Sequence, residues 1–96
     1  MSQRMPTDSG LDLLGHEILA EKAAALGRAG EKARCELARL SAIPASGEGR
    51  ETQRRAASAA VHAYFIQREL CGFRRHEGVI REYGIPRAVL ARLGAG

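Results

Sequence analysis

The sequence predicts an all-α fold: a long antiparallel helical hairpin plus a short C-terminal helix, expected to pair with a second copy into a dimeric four-helix-type bundle. Three observations carry this. Residues 11–40 hold no proline and are dominated by alanine, leucine, glutamate, lysine and arginine, the residues that favour helix most. Ser41-Ala42-Ile43-Pro44-Ala45-Ser46-Gly47-Glu48-Gly49 then interrupts the pattern with turn formers before a second run of helix formers begins. The apolar arcs of both runs are wider than one hairpin partner can cover.

Taken in order, residues 1–10 read as a flexible, polar start, with Ser9 as an N-cap and Asp12 three residues on. One domain follows over 11–94, with helices expected at about 11–41, 50–72, 75–83 and 86–93. In the first helix Leu19, Leu26, Ala33 and Leu40 recur every seven residues, and Ala23, Gly30 and Leu37 fill the alternate seam positions. This is a heptad-like seam with a line of small residues that lets another helix approach closely. Leu11, Leu14 and Ile18 add a second stripe at the N-terminal end.

In the second helix Ala59, Ala63, Ile66, Leu70 and Phe73 form one face, Ala57, Val61, Tyr64 and Cys71 lie beside it, and Phe65 points a third way. The spacing leaves open whether Gly72 breaks this helix. Gly84 suits the C-terminal cap of a third helix ending at Tyr83. Pro86 suits the first turn of a last helix, which Gly94 ends. Folding the hairpin at the loop sets residue 71 level with about residue 20 on the helical rise. The aromatic end of the second helix thereby meets the doubly apolar end of the first. The residues expected in the core or at the dimer contact are Leu19, Leu26, Leu37, Leu40, Val61, Tyr64, Phe65, Ile66, Leu70 and Phe73.

Size and composition support a partner. The chain has 96 residues, four aromatic residues and no tryptophan, so its core is thin, and a chain of this size buries only ~60–65% of its unfolded surface. No stretch is long and apolar enough to span a membrane. The N-terminus lacks the apolar run of a secretory signal, so a cytoplasmic location is expected. There Cys35 and Cys71 are expected to be free thiols. The hairpin separates them by ~20 Å along its axis, too far for a disulfide, and both are expected to act as small core hydrophobes.

Catalytic and metal chemistry find little support. Cys71 and His76 are five residues apart and do not converge on a helix. Asp12 and His16 could share a face, but two ligands do not make a zinc site. Ser58 and His62 are four apart, with no acid in register to orient the histidine. No phosphate-binding glycine loop occurs. The chain is therefore expected to be no enzyme and to need no cofactor and no metal.

Charge offers the rival reading. Residues 41–96 carry nine arginines against five acidic residues, whereas 1–40 balance at six and six. Arg74, Arg75, Arg81, Arg87 and Arg92 are the candidates for contact with an anion or DNA. Residues 79–93 also resemble a helix-turn-helix in their glycine turn and in Leu90 and Leu93 at core spacing. Against this, Ile80 stands where crossing helices need a small residue, and the recognition helix holds no Asn or Gln to read bases. A helix–turn–helix used for packing is the stronger reading, and nucleic acid is not the favoured partner.

Three segments, Ala20-Glu21-Lys22-Ala23-Ala24-Ala25-Leu26-Gly27-Arg28, Tyr64-Phe65-Ile66-Gln67-Arg68-Glu69-Leu70-Cys71-Gly72 and Tyr83-Gly84-Ile85-Pro86, resemble a family of small all-helical bacterial proteins with no assigned function. The resemblance covers most of residues 11–94 and implies no activity for any position. The expectation is thus a homodimeric structural or protein-interaction module with a protein partner, the alternative being a DNA-binding protein built on 79–93. Gln67, Arg68 and Glu69 are the residues of the aromatic stretch that packing explains least.

Overall fold

The computed structural model describes residues 6–93, in four helices: α1 (Pro6–Ser41), α2 (Arg50–Leu70), α3 (Glu77–Tyr83) and α4 (Arg87–Leu90). The expectations for residues 1–5 and for Gly94 lie outside the described residues. Helix α1 starts at Pro6, so residues 6–10 are helical and Ser9 sits inside the helix. Proline suits a first helical position because its φ is already helical and its missing N–H would have no partner there.

The hairpin is antiparallel, as the sequence predicts, and several contacts fix its register. Near the loop, one Arg50 guanidinium nitrogen donates to the Leu40 carbonyl at 3.0 Å and also to that of Ile43. The Leu40 carbonyl, which also accepts from the Ile43 N–H at 3.1 Å, belongs to the last turn of α1, where the carbonyls lack their i+4 helical donors. Gln53 Nε2 donates to the Glu36 carbonyl at 3.0 Å. At the far end the Cys71 thiol lies 3.8 Å from the Lys22 carbonyl. Helix α2 therefore ends level with Lys22, although α1 continues back to Pro6. The lengths of 36 and 21 residues make this offset unavoidable: about 22 Å of α1 extends past its partner at the helical rise.

The core sits between the C-terminal half of α1 and α2, closed from the side by α3 and α4. Ala33, Leu37 and Leu40 come from α1, and Ala57, Ala60, Val61, Tyr64 and Phe65 from α2. Ile85 and Val89 complete it from the C-terminal segment. Val61 and Val89 are both 0% exposed. The buried Ser58 hydroxyl donates to the Val89 carbonyl at 3.2 Å and pins α4 to α2. The alanines matter as much as the large residues, since they let the helix axes approach.

Two glycines end helices. Gly72 has φ 97° and Gly84 φ 60°, a left-handed conformation that costs a residue with a Cβ roughly 1–2 kcal/mol. After α2, Gly72 N–H reaches Glu69 O at 3.0 Å and Phe73 N–H reaches Arg68 O at 2.9 Å. After α3, Gly84 N–H reaches Arg81 O at 3.2 Å and Ile85 N–H reaches Ile80 O at 3.0 Å. Both are Schellman closures, which satisfy the last carbonyls of a helix. Gly72 therefore stops α2, and the chain runs without helix from Phe73 to His76. The final helix is shorter than the expected 86–93: Pro86 caps it with ψ 151°, and residues 91–93 form a turn.

Candidate functional site

Helix α2 presents three faces. Ala57, Ala60, Val61 and Tyr64 turn to α1, and Ser58 and Phe65 turn to the C-terminal segment. Ala59, Ala63, Ile66 and Leu70, at steps of four, three and four, occupy a third face and are exposed. This is the face the sequence marked as apolar. Neither α1 nor α3–α4 covers it, because the other two faces of α2 are already taken.

Helix α1 contributes to the same flank. Leu19 lies seven residues before Leu26 on the seam, yet it is 63% exposed, whereas Leu40 on that line is 2% exposed. The difference is the end of α2 at Lys22, beyond which nothing covers the seam. Leu14 and Ile18 are exposed as well, and steps of four, seven and four from Leu14 lead through Ile18 and Ala25 to Ala29 along one side of the helix. There a groove of about 260 Å³ opens between the helices, lined by Ala29, Lys32 and Glu36 of α1 and by Ala56, Ala59, Ala60 and Ala63 of α2. Leu13, also exposed, faces away from this flank.

Of the residues expected in the core or at a dimer contact, Leu37, Leu40, Val61, Tyr64 and Phe65 are buried and Leu26 is half-buried against them. Leu19, Ile66, Leu70 and Phe73 are exposed. The set divides into an internal core and exposed apolar residues, of which Ile66 and Leu70 lie on the open face of α2 and Phe73 lies under the Arg68 guanidinium.

The aromatic stretch builds two polar clusters inside the fold. In the first, the Tyr64 and Tyr83 rings stack with centroids 5.4 Å apart, and the Tyr83 hydroxyl donates to the Tyr64 hydroxyl oxygen at 3.3 Å. The Arg34 guanidinium lies 4.8 Å above the Tyr83 ring, at cation–π distance. Burial, helped by the Tyr83 hydroxyl, raises the pKa of Tyr64 above its ordinary 10.0. The unfolded chain ionises first, so the contribution of Tyr64 to stability is complete below about pH 10 and is lost as pH rises through the higher folded value. Tyr64→Phe is expected to flatten this alkaline loss, read from urea midpoints between about pH 8 and 11. An unchanged slope would assign the loss to other groups.

The second cluster explains Arg68 and Glu69. Arg68 Nε donates to His76 Nδ1 at 3.1 Å, and its other nitrogen donates to the Arg75 carbonyl at 2.9 Å. His76 Nε2 lies 2.9 Å from Glu69 Oε2. A proton on Nε2 and a lone pair on Nδ1 satisfy both bonds. The imidazole also stacks on Phe65 with centroids 4.1 Å apart, and Arg68 lies 5.1 Å over the Phe73 ring. Arg68 and Glu69 thus clamp the linker that carries the chain from α2 into α3. The sequence shows the polar residues but not their target, since the left-handed turn at Gly72 is what folds His76 back.

Two candidate chemical pairs, Cys71 with His76 and Ser58 with His62, find other partners. His76 is held by the clamp, and the Cys71 thiol faces Lys22 instead. Ser58 is committed to Val89. Cys35 corrects an expectation: it is exposed, between the buried Ala33 and Leu37 but on the outer side of α1, and the half-buried Cys71 lies at the rim of the core. Both thiols are free. Among the described residues, no group of three or more His, Cys, Asp or Glu could hold a metal ion, and no helix is long and apolar enough to cross a membrane.

Arg92 pairs with Glu51 at 2.7 Å and ties the chain end to the start of α2. Arg74 lies beside Glu69 at the rim of a shallow depression. Arg74, Arg75, Arg81 and Arg87 are exposed. Helix α4 is four residues long, with Val89 buried and Leu90 and Leu93 packed on the core. One turn is too short to lay three or four side chains along a major groove, and its apolar side is already used.

A family model described as a family of unknown function (DUF6665) matches residues 1–96. No curated protein and no solved structure matches the chain.

Proposed function

We propose, for a chain that belongs to this family of unknown function, a role as a small homodimeric helical module that works by protein–protein contact and carries no catalytic step. The observation behind this reading is the open flank, where Leu14, Ile18, Leu19, Ile66 and Leu70 are all about half exposed or more. Scattered apolar residues on a surface are ordinary, but a contiguous apolar patch marks an interaction site. Two polar groups with catalytic potential are engaged in holding the fold: Ser58 on Val89, and His76 between Arg68 and Glu69.

Light scattering at micromolar concentration should return twice the mass of the chain. Leu70→Glu, which sets a charge on the flank without touching the core, should return a single-chain mass with unchanged helical circular dichroism. A wild-type chain that is monomeric and melts cooperatively would exclude the homodimer.

A further inference from the structure

We infer that the occupant of the flank is the overhanging arm of α1, Pro6–Glu21, from a second copy, exchanged reciprocally about a two-fold axis. The inference rests on the homodimer reading and specifies how the copies meet. The chain carries both halves of the contact: an unpaired helical arm with Leu14 and Ile18 on one side, and an unfilled alanine groove continued by Ile66 and Leu70.

Their lengths agree. Pro6 to Glu21 spans ~24 Å at the helical rise, and the groove wall from Ala56 to Leu70 spans ~22 Å. The alanine floor lets an inserted helix come close, as small residues do along helix seams. At Ile66 and Leu70 the wall becomes bulky, which is where the base of the arm would sit.

Symmetry makes the exchange complete. A two-fold axis passing beside α1 at the level of Lys22, midway between the two copies of that helix, lays each arm antiparallel to the other copy's α1 and parallel to its α2. Each arm then fills the groove that the other copy leaves open, and the assembly closes on itself rather than growing into a filament. The result is four helices side by side. The hairpin register, with Cys71 at Lys22 and Tyr64 against Gly30, places Leu14 of the second copy beside Ile66. The area suffices. Five large residues exposing roughly 100 Å² each give about 1,000 Å² for two copies, before the alanines are added, the size a specific interface should clear.

Disulfide trapping tests the arrangement. Leu14→Cys and Ile66→Cys are introduced together in a Cys35→Ser, Cys71→Ser background and oxidised mildly. Within one chain the two sites lie ~20 Å apart along the hairpin axis, far beyond disulfide reach, so a bond between them joins two copies. A covalent dimer is expected, with Leu13→Cys/Ile66→Cys, whose first site faces away, giving little. A chain that is dimeric by light scattering but does not cross-link at 14 and 66, or that cross-links equally at 13 and 66, overturns the arm exchange and leaves the homodimer standing. A monomeric chain removes both. Leu13, Leu14, Cys35 and Ile66 are exposed in the single chain and Cys71 is half-buried, and circular dichroism checks that each variant is folded.

Discussion

Phe65→Ala is expected to lower the free energy of unfolding by about 3–5 kcal/mol, the usual cost of emptying a buried aromatic site. The Phe65 ring is 8% exposed, and it lies between the α2 backbone and the clamped linker, with the His76 ring parallel to it within 6°. Truncation loses the transfer free energy of the ring and leaves a cavity that the linker can collapse into only by giving up its bonds to Arg68 and Glu69. A domain of this size has ~5–15 kcal/mol in total, so the loss is a large share of stability. The thermal midpoint should fall by roughly 4–8 °C for each kcal/mol. Urea denaturation followed by circular dichroism measures it. A cost below about 1 kcal/mol would place the linker outside the cooperative core.

The neighbouring residue supplies the contrast. Ile66 is 46% exposed, and truncating it removes little from a single chain. If the flank is covered by a second copy, the cost of Ile66→Ala should grow with protein concentration, because a partner that binds only the folded state stabilises it by mass action. The cost of Phe65→Ala is carried by contacts inside one chain. Two adjacent apolar residues on one helix thereby separate folding from association.

Helical periodicity is what made the hairpin readable. The proline-free run to Leu40, the loop holding Pro44, Gly47 and Gly49, and the two apolar stripes each point to the same pairing, and local signals that agree are what specify a fold. The same periodicity marked Ala59, Ala63, Ile66 and Leu70 as a face. It could not assign that face to the inside or the outside, because which arc of α2 meets α1 depends on the rotation of α2 about its own axis. Contacts distant in sequence set that rotation: Gln53 on Glu36, Ser58 on Val89, and Tyr83 on Tyr64. The clamp was invisible for a related reason. Nothing in Arg68 or Glu69 names His76 until Gly72 adopts its left-handed turn. The exposure of Cys35 follows from the helical angle alone, since Ala33 and Leu37 straddle the seam and Cys35 falls on the opposite side. Weighing cysteine by its usual burial hid that.

Gly27 and Gly30, three residues apart on α1, should respond to substitution with opposite sign. A Cβ on Gly27 meets nothing within 4 Å, and Gly27 is exposed. Gly27→Ala therefore gains helix propensity and little else, and should stabilise the chain by roughly 0.5–1 kcal/mol. A Cβ on Gly30 would stand 3.1 Å from both Tyr64 Cε1 and the Tyr83 hydroxyl, closer than the rings allow without moving. Gly30→Leu has the same propensity gain, but its remaining carbons must enter the space of the stacked tyrosines. Overpacking costs about 1–3 kcal/mol, separating an aromatic pair about 0.5–1.5 kcal/mol, and breaking the hydroxyl bond about 1 kcal/mol. After the propensity gain of about 0.5–1 kcal/mol, a net loss of about 1.5–5 kcal/mol remains. Tyr83 is anchored in α3, so the wedge should also loosen α3 and α4, seen as faster amide exchange at Ile85 and Val89. If both glycine variants shift the urea midpoint in the same direction, the closeness of α1 to α2 at Tyr64 is not what holds the C-terminal segment in place. If they diverge as expected, Gly30 is the point where the small-residue seam of α1 admits the stacked tyrosines and so fastens the C-terminal segment to the hairpin.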